Sequence, residues 1–207
     1  MPHRLHDHHR RSIRLKGYDY AQPGVYLVTV CTHGRQPLFG EMRHGEVVLN
    51  KAGRQTESCR LAIPDHYPRV ILDAYVVMPD HLHGLFAIMC EEGRSGGVGA
   101  DDLHWLRQCA PLQAPHMPFA PPGAQVTDAC ADFVSPSRTV GAIVRGFKIG
   151  VTKWMRANTG VYDVWQRNYH ERIVRDEQEL CAARTYIAQN PRRWGAPEAD
   201  QDLWYRG

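Results

Sequence analysis

The apolar positions of the chain follow two rhythms, one repeating every second residue and one every three to four. Gly24 opens the run Val25-Tyr26-Leu27-Val28-Thr29-Val30-Cys31-Thr32, whose β-branched and aromatic content predicts a first strand. A short hairpin-like piece follows around Glu46-Val47-Val48-Leu49. Asn50 is placed to cap a helix reaching about Ile63, where Pro64 stops it. Val70 to Val77 is a second long strand, Pro79-Asp80 punctuates it, and His81 to Met89 reads as a third strand folding back on the second. Periodicity is then lost. Residues 91–137 carry Gly93, Gly96, Gly97, Gly99, Pro111, Pro115, Pro118, Pro121, Pro122, Gly123 and Pro136, the composition of a mobile surface insertion. From Val140 the helical period returns through Ile143, Val144, Phe147, Val151, Trp154 and Met155, ending near Asn158 to Gly160. Tyr169 to Val174 makes a short fourth strand. Asp176 with Glu179 three residues on is a capping pattern for a last helix through Leu180, Ala183 and Ile187, stopped at Asn190-Pro191. This order predicts an α+β fold: a ferredoxin-like antiparallel sheet with helices on one face, as a single domain over 1–207.

Composition narrows the setting. Six cysteines, Cys31, Cys59, Cys90, Cys109, Cys130 and Cys181, stand 19 or more residues apart. With no CxxC pair, neither a zinc ribbon nor a disulfide framework is supported. No apolar run is long enough to cross a bilayer, and the first twenty residues are charged and His-rich, so a cytoplasmic protein with no membrane partner is expected. The net charge of +3 is unevenly spread. Residues 1–16 form a basic, flexible arm with Arg4, Arg10, Arg11, Arg14 and Lys16 against Asp7 alone. Residues 138–175 hold Arg138, Arg145, Lys148, Lys153, Arg156, Arg167, Arg172 and Arg175 against Asp163 and Glu171. Such clustering fits a phosphate-binding face and fits equally a solvated helix flank.

Candidate chemistry begins inside the third strand. His81 and His83 are two residues apart, so they project from one face of a sheet as a ready pair of metal ligands. The alternative is two ordinary strand histidines packed against a helix. Tyr186 and Asn190, four residues apart, share one face of the last helix. They read either as a nucleophile beside a third, amide ligand or as a core tyrosine with an Asn cap before Pro191. Two imidazoles and one amide oxygen would leave positions open on an octahedral Mg²⁺ or Mn²⁺. A cation there would favour attack by a tyrosine whose ordinary pKa is about 10.

At this point the sequence resembles a known family. Tyr75-Val76-Val77-Met78-Pro79-Asp80-His81-Leu82-His83-Gly84 resembles the His-hydrophobic-His signature of the single-tyrosine HUH transposases. Trp165 through Arg175 and Tyr186-Ile187-Ala188-Gln189-Asn190-Pro191 are similar to the two later signatures of the REP-associated branch. Arg11 through Tyr20 is similar to that branch as well, so the likeness covers roughly residues 11–90 and 138–194. The resemblance implies metal-binding roles for His81, His83 and Asn190 and a catalytic role for Tyr186. It implies a metal-dependent endonuclease and strand transferase, acting on single-stranded DNA beside a hairpin of the REP or palindromic kind. The expected product is a 5′-phosphotyrosine with a free 3′-hydroxyl, made by a monomer or a homodimer. Arg11, Arg14, Lys16, Arg145, Lys148, Lys153 and Arg167 are the expected DNA contacts. Arg172 stands where the branch often has His, so no role is carried to it or to His170. A catalytically silent hairpin-binding protein is the competing expectation, and a zinc hydrolase built on the two histidines is a more distant one.

Overall fold

The computed structural model describes residues 23–89 and 139–195. The expected basic arm, with Arg11, Arg14 and Lys16, and the expected insertion at 91–137 lie outside the described residues. Four strands form one antiparallel sheet: β1 (Gly24–Cys31), β4 (Val70–Val77), β5 (His81–Ile88) and β6 (His170–Val174), in the spatial order β4-β5-β1-β6. A separate two-stranded hairpin pairs β2 (Gly40–Arg43) with β3 (Glu46–Leu49). Its turn runs through His44 and Gly45 at φ 52 and φ 82, the left-handed pair that a tight hairpin needs. The crossovers are α1 (Lys51–Leu61) with α2 (Ile63–His66), then α3 (Val140–Asn158) between β5 and β6, and α4 (Glu177–Gln189) follows the last strand. The sequence of strands in the main sheet is the ferredoxin-like one.

Local chemistry explains the boundaries. Asn50 accepts from the Gly53 N–H at 2.9 Å and caps α1, as its position in the sequence suggests. Helix α1 ends at Leu61 rather than at the proline, and Pro64 instead sits in the first turn of α2. A missing N–H costs nothing there, because first-turn donors have no partner within the helix. Asp176 caps α4 by accepting from Glu179 N–H at 2.8 Å. Glu179 reaches back one residue further than a simple box, taking the Arg175 N–H at 2.9 Å.

The expectation of helices on one face requires correction. One core joins Tyr26, Val28, Val30 and Phe86 to Val140, Ile143, Phe147 and Val151 of α3 and Ala52 and Cys59 of α1. A second core joins Val25, Leu27, Leu85 and Ala87 to Leu180, Ala183, Tyr186 and Ile187 of α4. Thus α1 and α3 cover one face and α4 the other. The physical reason lies in β1 and β5, which are buried at nearly every position and so on both sides; a strand without a solvated face needs cover on each. Helix α4 is also anchored at the sheet edge, where the pairing of β4 with β5 shifts register between Leu72 and Tyr75. Asp73, at that irregularity, takes two hydrogen bonds from buried Arg184 at 3.0 and 2.6 Å.

Candidate active site

Sheet parity decides which side chains meet. In the β1/β5 ladder Thr29 faces His83 and Cys31 faces His81. Both histidines therefore lie on the face covered by α4, in the same rows as Leu85 and Ala87. Helix α4 brings Tyr186 and, at its C-cap, Asn190 against them. The sheet and the last helix thus converge the four residues that the sequence singles out.

The geometry is close. The two imidazoles lie edge to face with centroids 4.8 Å apart. Asn190 spans them, with Oδ1 at 3.2 Å from His81 Nε2 and Nδ2 at 3.0 Å from His83 Nε2. The Tyr186 hydroxyl lies 3.5 Å from His83 Nε2. Behind the rings, Asp80 Oδ1 is 2.5 Å from His81 Nδ1 and Thr29 Oγ1 is 2.6 Å from His83 Nδ1. An ionised carboxylate only accepts, so in the neutral form of the ring it holds the proton on Nδ1 and turns the Nε2 lone pair toward the site. In that tautomer Nε2 and the Asn190 amide oxygen are two acceptors pointing into one space, whereas an imidazolium would donate its Nε2–H to that oxygen. A shared cation removes the conflict, and two imidazole nitrogens with an amide oxygen are an apt set for one with open positions. Among the described residues, no three His, Cys, Asp or Glu side chains are grouped to hold a metal, so any such site depends on the Asn190 amide.

Burial sets the electrostatics. His83 is 2% exposed. Its pKa lies well below the ordinary value of 6.5, first because burial disfavours the imidazolium, then through the nearby charges of His81, Arg35 and His170. A ring held neutral keeps its nitrogen available as a ligand. The four residues open on a cavity of about 430 Å³ that is also lined by Arg35, His170, Arg193 and Trp194.

Several of these neighbours escaped the sequence reading. Asp80 is adjacent to the histidine motif, and a carboxylate beside a ligand histidine was a legible signal. Thr29 interrupts the apolar run of its strand, but its place beside His83 comes only from the β1/β5 register. His170, directly opposite Thr29 in the β1/β6 ladder, gave no signal that spacing could reveal.

The expected DNA contacts divide. Arg145, Lys148 and Arg167 line a second concavity of about 480 Å³, together with Arg156 and Tyr169. It shares no residue with the histidine cavity. Lys153 does not line it. Lys148 is already engaged: its ammonium donates to the Gln166 and Asn168 carbonyls at 2.8 and 3.1 Å, and burial lowers its pKa to about 8. It ties α3 to the segment before β6. Trp165 packs between Phe39 and Phe147 at 5.2 and 5.6 Å, leaving Tyr169 as the aromatic ring of this concavity.

No protein-family model matches the chain. It is 39% identical over 194 residues to an uncharacterized protein of Haemophilus influenzae, covering 94% of this chain and 93% of that protein. Among solved structures it is similar to a REP-associated tyrosine transposase bound to a REP hairpin, at 16% identity, TM-score 0.49, 87% of this chain and 74% of that one. It is also similar to a candidate transposase from Deinococcus radiodurans, at 13% identity, TM-score 0.41, 86% of this chain and 96% of that one. Both TM-scores lie below 0.5, and neither likeness bears on function.

Proposed function

We propose a function on the premise that the chain belongs to one family with the Haemophilus influenzae protein: it is a metal-dependent endonuclease and strand transferase that nicks single-stranded DNA beside a hairpin. The observation that carries this reading is the approach of the Tyr186 hydroxyl to within 3.5 Å of His83 Nε2, at the point where His81, His83 and Asn190 converge. The resemblance of three separated sequence signatures to the REP-associated single-tyrosine transposases supports it. His81, His83 and Asn190 would hold Mg²⁺ or Mn²⁺. When bound, the ion supplies Lewis-acid neutralisation of the charge that builds on a phosphodiester.

The chain's own residues do the rest. Tyr186 Oη attacks phosphorus and loses its proton to solvent in the cavity. The P–O3′ bond breaks, the departing 3′-oxygen takes up a proton, and the phosphate remains as a 5′-phosphotyrosine. The charge is unchanged overall, and the stored ester can pass to another 3′-hydroxyl without a nucleotide cofactor. Asp80 and Thr29 fix the two rings, so the ligand nitrogens are preset before substrate arrives. Packing of Tyr186, 5% exposed, against the sheet holds the phenol in place.

The test is to incubate the protein with an oligonucleotide that carries a hairpin and a single-stranded flank, with Mg²⁺ or Mn²⁺, and follow a denaturation-resistant protein–DNA adduct. Replacement of His83 by Ala should lower adduct formation on the order of 100-fold, by analogy with loss of a group that stabilises developing charge. Tight hairpin binding with no adduct in either metal would instead identify a catalytically silent binding protein.

A further inference from the structure

One aromatic ring at the cavity is used neither by the ligand set nor by the nucleophile. After α4 a 3-10 turn runs from Asn190 to Arg193. Trp194 follows it, donating its backbone N–H to the Pro191 carbonyl at 3.3 Å, and Gly195 at φ 82 turns the chain. The indole stacks on the His81 ring, 13° from parallel with centroids 6.1 Å apart. Yet Trp194 keeps 39% of its surface exposed. The other large apolar side chains exposed among the described residues, such as Ile71 and Tyr162, do not line this cavity.

Charge accompanies the ring. Arg35 and Arg193 line the same cavity, against Asp80 as its one acidic lining residue. Asp80 is already committed to His81. Arg35 adopts φ 56, a left-handed conformation that a non-glycine residue holds at a cost and that recurs where a side chain must be aimed. Its side chain is 48% exposed and its guanidinium stands 3.6 Å from Asp80. About half of the side chain is therefore open to an anion while the guanidinium keeps its ion pair with Asp80, whose side chain is only 13% exposed. A flat open π-face next to an exposed guanidinium matches the repeat unit of a single strand, an unpaired base and its phosphate.

We propose that Trp194 and Arg35 form a nucleotide subsite at the mouth of the cavity, in which an unpaired base stacks on Trp194 and its flanking phosphate pairs with Arg35. This rests on the reading of the cavity as a single-stranded DNA site and adds the place where the base beside the scissile phosphate is held. The subsite positions substrate and reads little sequence, because every base has a π-face.

The experiment uses the Tyr186→Phe protein and hairpin oligodeoxynucleotides carrying 2-aminopurine at successive positions of the single-stranded flank. Fluorescence quenching confined to one or two flank positions is expected. In the added Trp194→Ala background that quenching should disappear and flank affinity should fall roughly ten-fold or more. Trp194→Phe should retain both, which separates loss of stacking from loss of fold. Arg35→Gln should weaken binding of flanked oligonucleotides while leaving the bare hairpin unaffected. Unchanged quenching in Trp194→Ala would overturn the subsite, even if the otherwise wild-type protein forms its adduct. Trp194-dependent quenching without an adduct in that protein would keep the subsite and defeat the nuclease reading.

Discussion

His83 sits with one nitrogen against the Thr29 hydroxyl and the other toward Tyr186 and Asn190, and its burial has a consequence for pH. Its pKa in the folded protein lies below the ordinary 6.5, chiefly through burial. In the unfolded chain the imidazole takes up its proton near 6.5, before the folded one does. The stability it contributes is therefore complete above about pH 6.5 and is lost as the pH falls below that value. Urea unfolding with chelator present should show a smaller unfolding free energy at about pH 5 than at about pH 7.5, and His83→Gln should remove part of that difference. An identical slope in wild type and variant would mean that His83 is not held neutral. At this scale the sequence was legible where spacing sufficed: strand parity paired His81 with His83, and helical spacing paired Tyr186 with Asn190. Thr29 and His170 were not, since they join the site only through the pairing of β1 with β5 and β6.

Helix α4 must be held in register for Tyr186 to meet the histidines, and its anchor is an ion pair. Arg184 and Asp73 expose only 4% and 11% of their side chains, and Arg60 adds a hydrogen bond to the Asp73 carbonyl at 2.5 Å. Removing Arg184 strips a mostly buried carboxylate of two charge-assisted bonds and leaves it the Ala74 N–H at 2.6 Å and the nearby Arg60 charge. Arg184→Ala should thus destabilise the fold by about 3 kcal/mol, measured by chemical denaturation. A loss under about 1 kcal/mol would mark the pair as equivalent to an exposed surface contact. The strands and helices were closely legible in the residue pattern, because capping residues and β-branched runs act locally. The side of the sheet that α4 covers was misjudged. The signal was present in β1, whose apolar run is interrupted only by Thr29 and announces a strand buried on both faces, but periodicity alone does not say which helix supplies the second cover.

At the scale of the whole molecule, two concavities gather the candidate residues: the cavity under α4 and the basic concavity on α3. In the second, Arg145 and Arg167 are exposed cations beside Tyr169, whereas Lys148 is tied to backbone carbonyls. If this surface grips the hairpin, Arg145→Gln and Arg167→Gln should each lower the dependence of log affinity on log salt by about one. Lys148→Gln should act mainly on stability. Equal salt slopes in all variants would remove this concavity from the DNA interface. Among the described residues no helix is long and apolar enough to cross a membrane.

The central claim is that one phenol, presented at the histidine pair, becomes covalently joined to DNA. It is tested most directly by digesting the protein after reaction with a flanked hairpin oligonucleotide and Mg²⁺ or Mn²⁺, then locating the nucleotide-bearing peptide by mass spectrometry. The account predicts a 5′-phosphate ester on Tyr186, a free 3′-hydroxyl on the released strand and no adduct from Tyr186→Phe. A modified residue elsewhere, or an undiminished adduct in Tyr186→Phe, would contradict it.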